Sequence, residues 1–165
     1  MITLNISYTE PVNPPDPSIQ KLTSKQVWNG LVLKIRRPQE FIPAIDECRV
    51  VEERDNGSYI LREAHVAANL ERSPMAGKYV REECRLHEPT WTHFTLPDGS
   101  EVQNIVSVGP DQALYLTYTY KWRLSDIEAG TSEAKKAEED HLEIAKTSVQ
   151  GTLKAMRVMV EKGIL

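Results

Sequence analysis

Two charged residues stand where apolar ones belong. In SYILREAHV (58–66) Arg62 shares its phase with Ile60, Ala64 and Val66, and in KYVREECRLH (78–87) Glu82 shares its phase with Val80, Cys84 and Leu86. Residues two apart lie on one face of a strand, so both charges are expected to turn inward, and on neighbouring strands they can form an ion pair. Such a pair adds little net stability over an apolar substitute, because desolvation offsets much of the attraction. It makes chemical sense where the arginine orients a polar group and the glutamate exchanges a proton. The plainer alternative is a structural pair, or a bulge that returns one member to solvent.

His93 is a third candidate, as a general base, and its side depends on register. A two-residue turn at Asp98-Gly99 pairs it with Asn104, and the phase of Val102, Val106 and Val108 turns Asn104, His93 and Trp91 inward. Phe94 and Leu96 pull the other way, and a bulge placing Phe94 opposite Asn104 reconciles the two. Both readings stay open. The stretch ALYLTYTYKWRL (113–124) alternates with Leu114, Leu116, Tyr118, Tyr120, Trp122 and Leu124 on one face. A phenol and an indole suit a wall that is apolar in body and polar at chosen points. The same row is equally readable as an aromatic core strand whose polar tips reach the rim.

Other chemistries lack their residues. The four histidines (65, 87, 93 and 141) have no metal-ligand spacing, and the sequence holds no glycine-rich phosphate loop and no nucleophile elbow. Cys48 and Cys84 have no activating neighbour and read as reduced core thiols. No metal and no cofactor are expected. A net charge of −4 without a basic stripe argues against nucleic acid as a partner. The opening MITLNISYTE is a strand and neither a signal peptide nor a membrane span, so a cytoplasmic location is expected. Oligomeric state is left undetermined.

The elements that must position these residues are legible from period and punctuation. The 165 residues are expected to form one domain over 1–165, large enough to bury about 70% of the unfolded surface. Ile2, Leu4, Ile6 and Tyr8 mark a first strand, which PVNPPDPS (11–18) ends because proline lacks a ladder donor. Thr23 or Ser24 can cap a helix with Val27 or Trp28, Leu31 and Ile35 inward, stopping before Pro38. FIPAI (41–45) is a connector or a second short helix. Six strands follow, with Asn56-Gly57 as a two-residue hairpin turn, AANLERSPMAG (67–77) as a loop, and turns at 88–89, 98–99 and 109–111. From about Ser132 to Lys162 the period becomes helical, with Leu142, Ala145, Val149, Leu153, Met156 and Val160 on the stripe. Gly151 in mid-helix suggests close packing there.

This order, an α+β chain of seven antiparallel strands curved around a long carboxy-terminal helix, resembles the helix-grip fold of the SRPBCC superfamily (START and birch-pollen-allergen group). Within it, QVWNGLVLKIRRPQEFIPAI (26–45), SYILREAHV (58–66), VREECRL (80–86) and LYLTYTYKW (114–122) make the chain similar to the AtaL-like family. The resemblance implies a deep, mostly apolar pocket for a bulky metabolite and no fixed catalytic set. The expected function is therefore binding of a hydrophobic, partly polar small molecule between sheet and last helix. Phe94, Leu116, Tyr118, Tyr120, Trp122, Leu153 and Met156 would supply contact area, and Arg62, Glu82 and Asn104 would fix orientation. The alternatives are a cyclase, isomerase or dehydratase of secondary metabolism in the same cavity, and a protein-interaction module with an exposed apolar patch.

Overall fold

A computed structural model of the chain describes residues 1–69 and 75–165. Strand β1 (Ile2–Pro11) alternates between half-buried and exposed residues along its whole length and ends at the first proline. After the proline-rich segment, α1 (Ser24–Arg36) opens on a capping box. Gln26 N donates to the Thr23 hydroxyl at 3.2 Å, and Thr23 N donates back to the Gln26 side chain at 2.9 Å. Pro38 follows its last turn, inside a single 3₁₀ turn at Pro38–Glu40, and 41–44 is an irregular connector. Then come β2 (Ile45–Arg54), β3 (Tyr59–Val66), β4 (Tyr79–His87), β5 (Trp91–Thr95), β6 (Glu101–Val108), β7 (Leu114–Leu124) and α2 (Ser132–Glu161). The expected loop at 67–77 falls partly outside the described residues, at 70–74.

All seven strands form one curved antiparallel sheet in the order β1-β7-β6-β5-β4-β3-β2. The chain lays β1 along one edge, crosses by way of α1, and restarts at the opposite edge with β2. The five hairpins from β2 to β7 then return it to β1, where Ile2 pairs with Leu124 and Tyr8 with Tyr118. The helix-grip architecture is thus present. No helix among the described residues is long and apolar enough to cross a membrane.

Two turns differ from expectation, and one of them decides a register. Arg54 pairs with Tyr59, so Asp55–Ser58 is a four-residue loop, with Asp55, Asn56 and Gly57 all at positive φ. At the β5–β6 hairpin the loop holds three residues, Pro97-Asp98-Gly99. Leu96 N donates to Ser100 O at 2.9 Å, Gly99 N donates to Leu96 O at 3.0 Å, and Gly99 takes φ +80°. Asp98 stiffens it by accepting from Ser100 N at 2.8 Å and Ser100 Oγ at 3.0 Å. The extra residue pairs Thr92 with Asn104, His93 with Gln103 and Phe94 with Val102. Neither the two-residue turn nor the bulge is used.

Helix α2 is about 45 Å long at 1.5 Å per residue. Ala137 is buried along it, and so are Ala145, Val149, Leu153, Met156 and Met159, which join Leu31, Leu116, Tyr118 and Val106 in one core. Leu142, expected on this stripe, is 49% exposed. His141 instead shares the face of Ala137 and Ala145, meeting Trp122 edge-on at 4.5 Å, and Leu142 lies one residue, about 100°, further round. The close helix contact is also elsewhere than expected. A Cβ built on Gly30 would lie 2.6 Å from Met156 Cε, so α1 and α2 meet at Gly30, whereas a Cβ on Gly151 would touch nothing within 4 Å.

Candidate functional site

Gly151 faces open space because it lines a groove. A hollow of about 760 Å³ runs between α2 and the segment joining α1 to β2. Phe41, Ile42 and Pro43 form one wall, and Ala155, Val158 and Met159 form the other. Ile164 adds apolar surface beyond the end of α2, and Lys34 reaches the groove from α1. Lys34 belongs here through helical geometry. It stands seven residues after Val27 and three after Leu31, on the buried stripe of α1, and it is only 6% exposed.

From Lys34 a polar chain runs into the core. Its Nζ donates to the Tyr118 hydroxyl at 2.9 Å, and Tyr118 donates to Thr152 Oγ1 at 2.8 Å. Thr152 stands among Val149, Leu153 and Met156 on the buried face of α2, so three elements meet at this chain. Burial lowers the Lys34 ammonium from its ordinary 10.5 to about 7, with the nearby Arg62 charge adding to the effect and Glu82 opposing it. The same burial pushes the Tyr118 phenol well above its ordinary range. Tyr120 rises to about 12 for that reason, against a smaller contrary effect of the Ser148 hydroxyl. Lys34 is therefore an amine that can gain or lose a proton near neutrality, next to a phenol that keeps its own.

The Arg62–Glu82 pair forms as expected. Arg62 pairs with Glu82 directly across β3 and β4, with Nη2 to Oε2 at 2.6 Å and Nε to Oε2 at 2.7 Å. Nη1 of Arg62 also donates to the carbonyls of Lys34 at 3.0 Å and Ile35 at 2.9 Å, at the end of α1. The guanidinium thus ties sheet to helix and satisfies carbonyls that the helix leaves open. Its visible work is to position Lys34.

The other expected residues separate by face. Leu116, Tyr118, Leu153 and Met156 are fully buried in the main core, with Tyr120 beside them. Tyr120 stacks on the half-buried Trp122 at 4.1 Å between ring centroids. Phe94 belongs to a second cluster with Ile35, Ile60 and Cys84, and the Arg62 guanidinium lies 5.1 Å from its ring centroid. Asn104 turns inward beside Tyr118, and its Oδ1 and the Thr92 Oγ1 across the strand have no hydrogen-bond partner among the described residues. None of these ten side chains is among those lining the groove, and most of them are buried against one another between α2 and the sheet or against α1. His93 lies on the opposite face, where Glu101 holds its Nε2 at 3.1 Å and in turn accepts from Lys121 at 2.8 Å. The three-residue turn puts it there.

Lys34, Thr152 and Ser148 were missed in the sequence. The first two carried a signal, a lysine and a threonine on otherwise apolar helical stripes. Only docking of both helices on Tyr118 brings them together.

Comparison with known proteins agrees with this architecture. The family model AtaL, described as acetylaranotin biosynthesis cluster protein L, matches residues 6–163. Acetylaranotin biosynthesis cluster protein L of Aspergillus terreus (strain NIH 2624 / FGSC A1156) is 26% identical over 155 residues, covering 94% of this chain and 88% of that protein. Among solved structures, the di-domain ARO/CYC StfQ from the steffimycin biosynthetic pathway superposes with a TM-score of 0.69 at 11% identity, over 98% of this chain and 52% of that one. The present chain thus spans about half the length of that di-domain protein. The Zhui aromatase/cyclase from Streptomyces sp. R1128 gives 0.58 at 16% identity, over 99% and 97% of the two chains. Ara h 8.0201 gives 0.59 at 16%, over 98% of each. Identities this low establish shared fold alone. The family match, in contrast, covers nearly every residue, and the chain, helix-grip in fold, belongs to the AtaL family.

Proposed function

We propose that the protein binds a bulky, largely apolar small molecule in the groove between α2 and the α1–β2 connector. The observation that carries this reading is the combination of apolar walls with one buried amine. Lys34 has a phenol as partner and no carboxylate within ion-pairing distance among the described residues. A hollow of about 760 Å³ lies within the range of roughly 300–1,000 Å³ usual for small-molecule sites. Kinship with a biosynthesis cluster protein supports a metabolite as occupant. The side chains behind the groove serve it indirectly, Arg62 and Glu82 by anchoring the end of α1, Tyr118 by holding the lysine.

The test uses Gly151, whose missing Cβ faces the hollow. Native mass spectrometry of freshly purified protein should reveal a co-purifying metabolite, and Gly151→Phe should lose it while melting no lower than wild type. A variant that retains the same metabolite would place binding elsewhere.

A second reading is an enzyme of cyclase, isomerase or dehydratase type using the same groove. The chain Lys34–Tyr118–Thr152 favours it, since an amine titrating near neutrality can deliver or accept a proton at a bound substrate. Two of the structural neighbours are named as aromatase/cyclases, which is support by analogy of fold. Turnover of the co-purified metabolite by wild type, abolished in Lys34→Met at metabolite concentrations that saturate both proteins, would separate enzyme from carrier.

A further inference from the structure

We infer that the groove selects an apolar molecule bearing an acidic oxygen, a carboxylate or an acidic enol, over its neutral analogue. The inference rests on the binding reading above and adds the charge of the ligand.

Three lysines converge on this one apolar surface. Lys34 reaches it from α1, and Lys154 and Lys162 stand on its rim from the last turns of α2 and its cap. None has a carboxylate partner among the described residues. The groove's own acid, Glu40, is engaged by Arg37 at 3.5 Å. The whole chain carries a net charge of −4, so a cationic groove runs against the overall composition. Local charge of one sign in a low-dielectric cleft focuses the field and draws in the opposite ion.

Two of these lysines stand where a helix end favours a cation. A cation near the carboxy-terminal end of a helix offsets the macrodipole, which accounts for Lys162 and would account for a solvent-facing Lys34. Lys34 instead turns inward, is 6% exposed, and spends its hydrogen bond on a side chain of the sheet. An ammonium taken out of water without a counter-ion is expensive, and an anionic oxygen arriving through the groove would compensate it. The remaining charged groups around it are Arg62 from β3 and Glu82 from β4, and these are already joined to each other. The side from which a negative charge can approach Lys34 is the groove side.

The probes are 1-pyrenebutyrate and 1-pyrenebutanol, which share an apolar body and differ in the acid, titrated by fluorescence at neutral pH. The acid should bind at least about tenfold more tightly than the alcohol. Lys34→Met should remove that preference by bringing the acid's affinity down to that of the alcohol, and the double variant Lys154→Gln/Lys162→Gln should reduce it in part. Calorimetry of the wild type near pH 8 in two buffers should show proton uptake with the acid and none with the alcohol, which needs no variant at all. Equal binding of both probes, weakened equally by Gly151→Phe, overturns the acid preference and leaves the groove reading standing. Binding of neither, or binding of both that Gly151→Phe does not touch, overturns the groove reading and this inference with it.

Discussion

Arg62 holds Lys34 by its backbone and repels it by its charge. Nη1 of Arg62 lies 3.0 Å from the Lys34 carbonyl oxygen, while the guanidinium helps to lower the proton affinity of the Lys34 amine. One residue thus fixes where the groove's amine sits and makes its charge easier to lose.

Because Arg62 is buried, its partner matters more than an exposed one would. Glu82→Ala should destabilise the protein by about 3–5 kcal/mol, since it leaves an uncompensated charge inside. The double change Arg62→Met/Glu82→Leu should be milder than Glu82→Ala. Urea unfolding of the variants measures both, and a Glu82→Ala loss below about 1 kcal/mol would mean that the pair is effectively solvated.

Lys34 should make stability rise with pH. Its folded value is about 7 against an ordinary 10.5, so between the two the unfolded chain binds a proton that the folded chain has released. Stability then increases upward from about pH 7, by at most about 1.4 kcal/mol per pH unit. From about pH 9 the buried Cys84 thiol, pushed up from 9.0 to about 12 by desolvation, works in the opposite direction. Urea midpoints from pH 6 to 9 should rise in wild type relative to Lys34→Met. Parallel curves would contradict the burial of the amine.

The helix contact at Gly30 predicts a change of sign. A methyl group there meets Met156 Cε at 2.6 Å and Cγ at 2.7 Å, so Gly30→Ala should lower stability by about 1–3 kcal/mol through overpacking. In a Met156→Ala background the clash is gone and the helix preference of alanine remains. The same substitution should then stabilise by up to about 1 kcal/mol. Chemical denaturation of the four proteins gives the cycle.

Gly151 is the counterpart on α2. With nothing within 4 Å of a Cβ, Gly151→Ala should raise stability by roughly 1 kcal/mol, the usual gain in a helix interior. A rise in melting temperature with unchanged probe binding is expected, because a methyl group occupies little of the groove. A loss of stability would mean that the helix is more tightly covered there.

Much of the fold was legible because its causes are local. Alternation at Ile2–Pro11 and Leu114–Leu124 reflects which side of a pleat each residue occupies, and the Thr23–Gln26 box involves neighbours in the chain. The inward phase of Arg62 and Glu82 follows from the same rule, and their pairing needed only that β3 and β4 be adjacent. His93 was harder because a single extra residue in the loop at 97–99 exchanges the faces of every residue paired after it.

What the sequence by itself determined is the element order, the faces of the strands and the charge of each candidate. Tertiary structure decided which candidates meet solvent, core or groove. The rotation of α2 on the sheet buried His141's face and exposed Leu142, packed Met156 against Gly30, and left Gly151 over a hollow. Those outcomes depend on the summed packing of residues far apart in the chain, such as Lys34 with Tyr118, 84 positions on, and Tyr118 with Thr152, 34 further, which no short-range periodicity encodes.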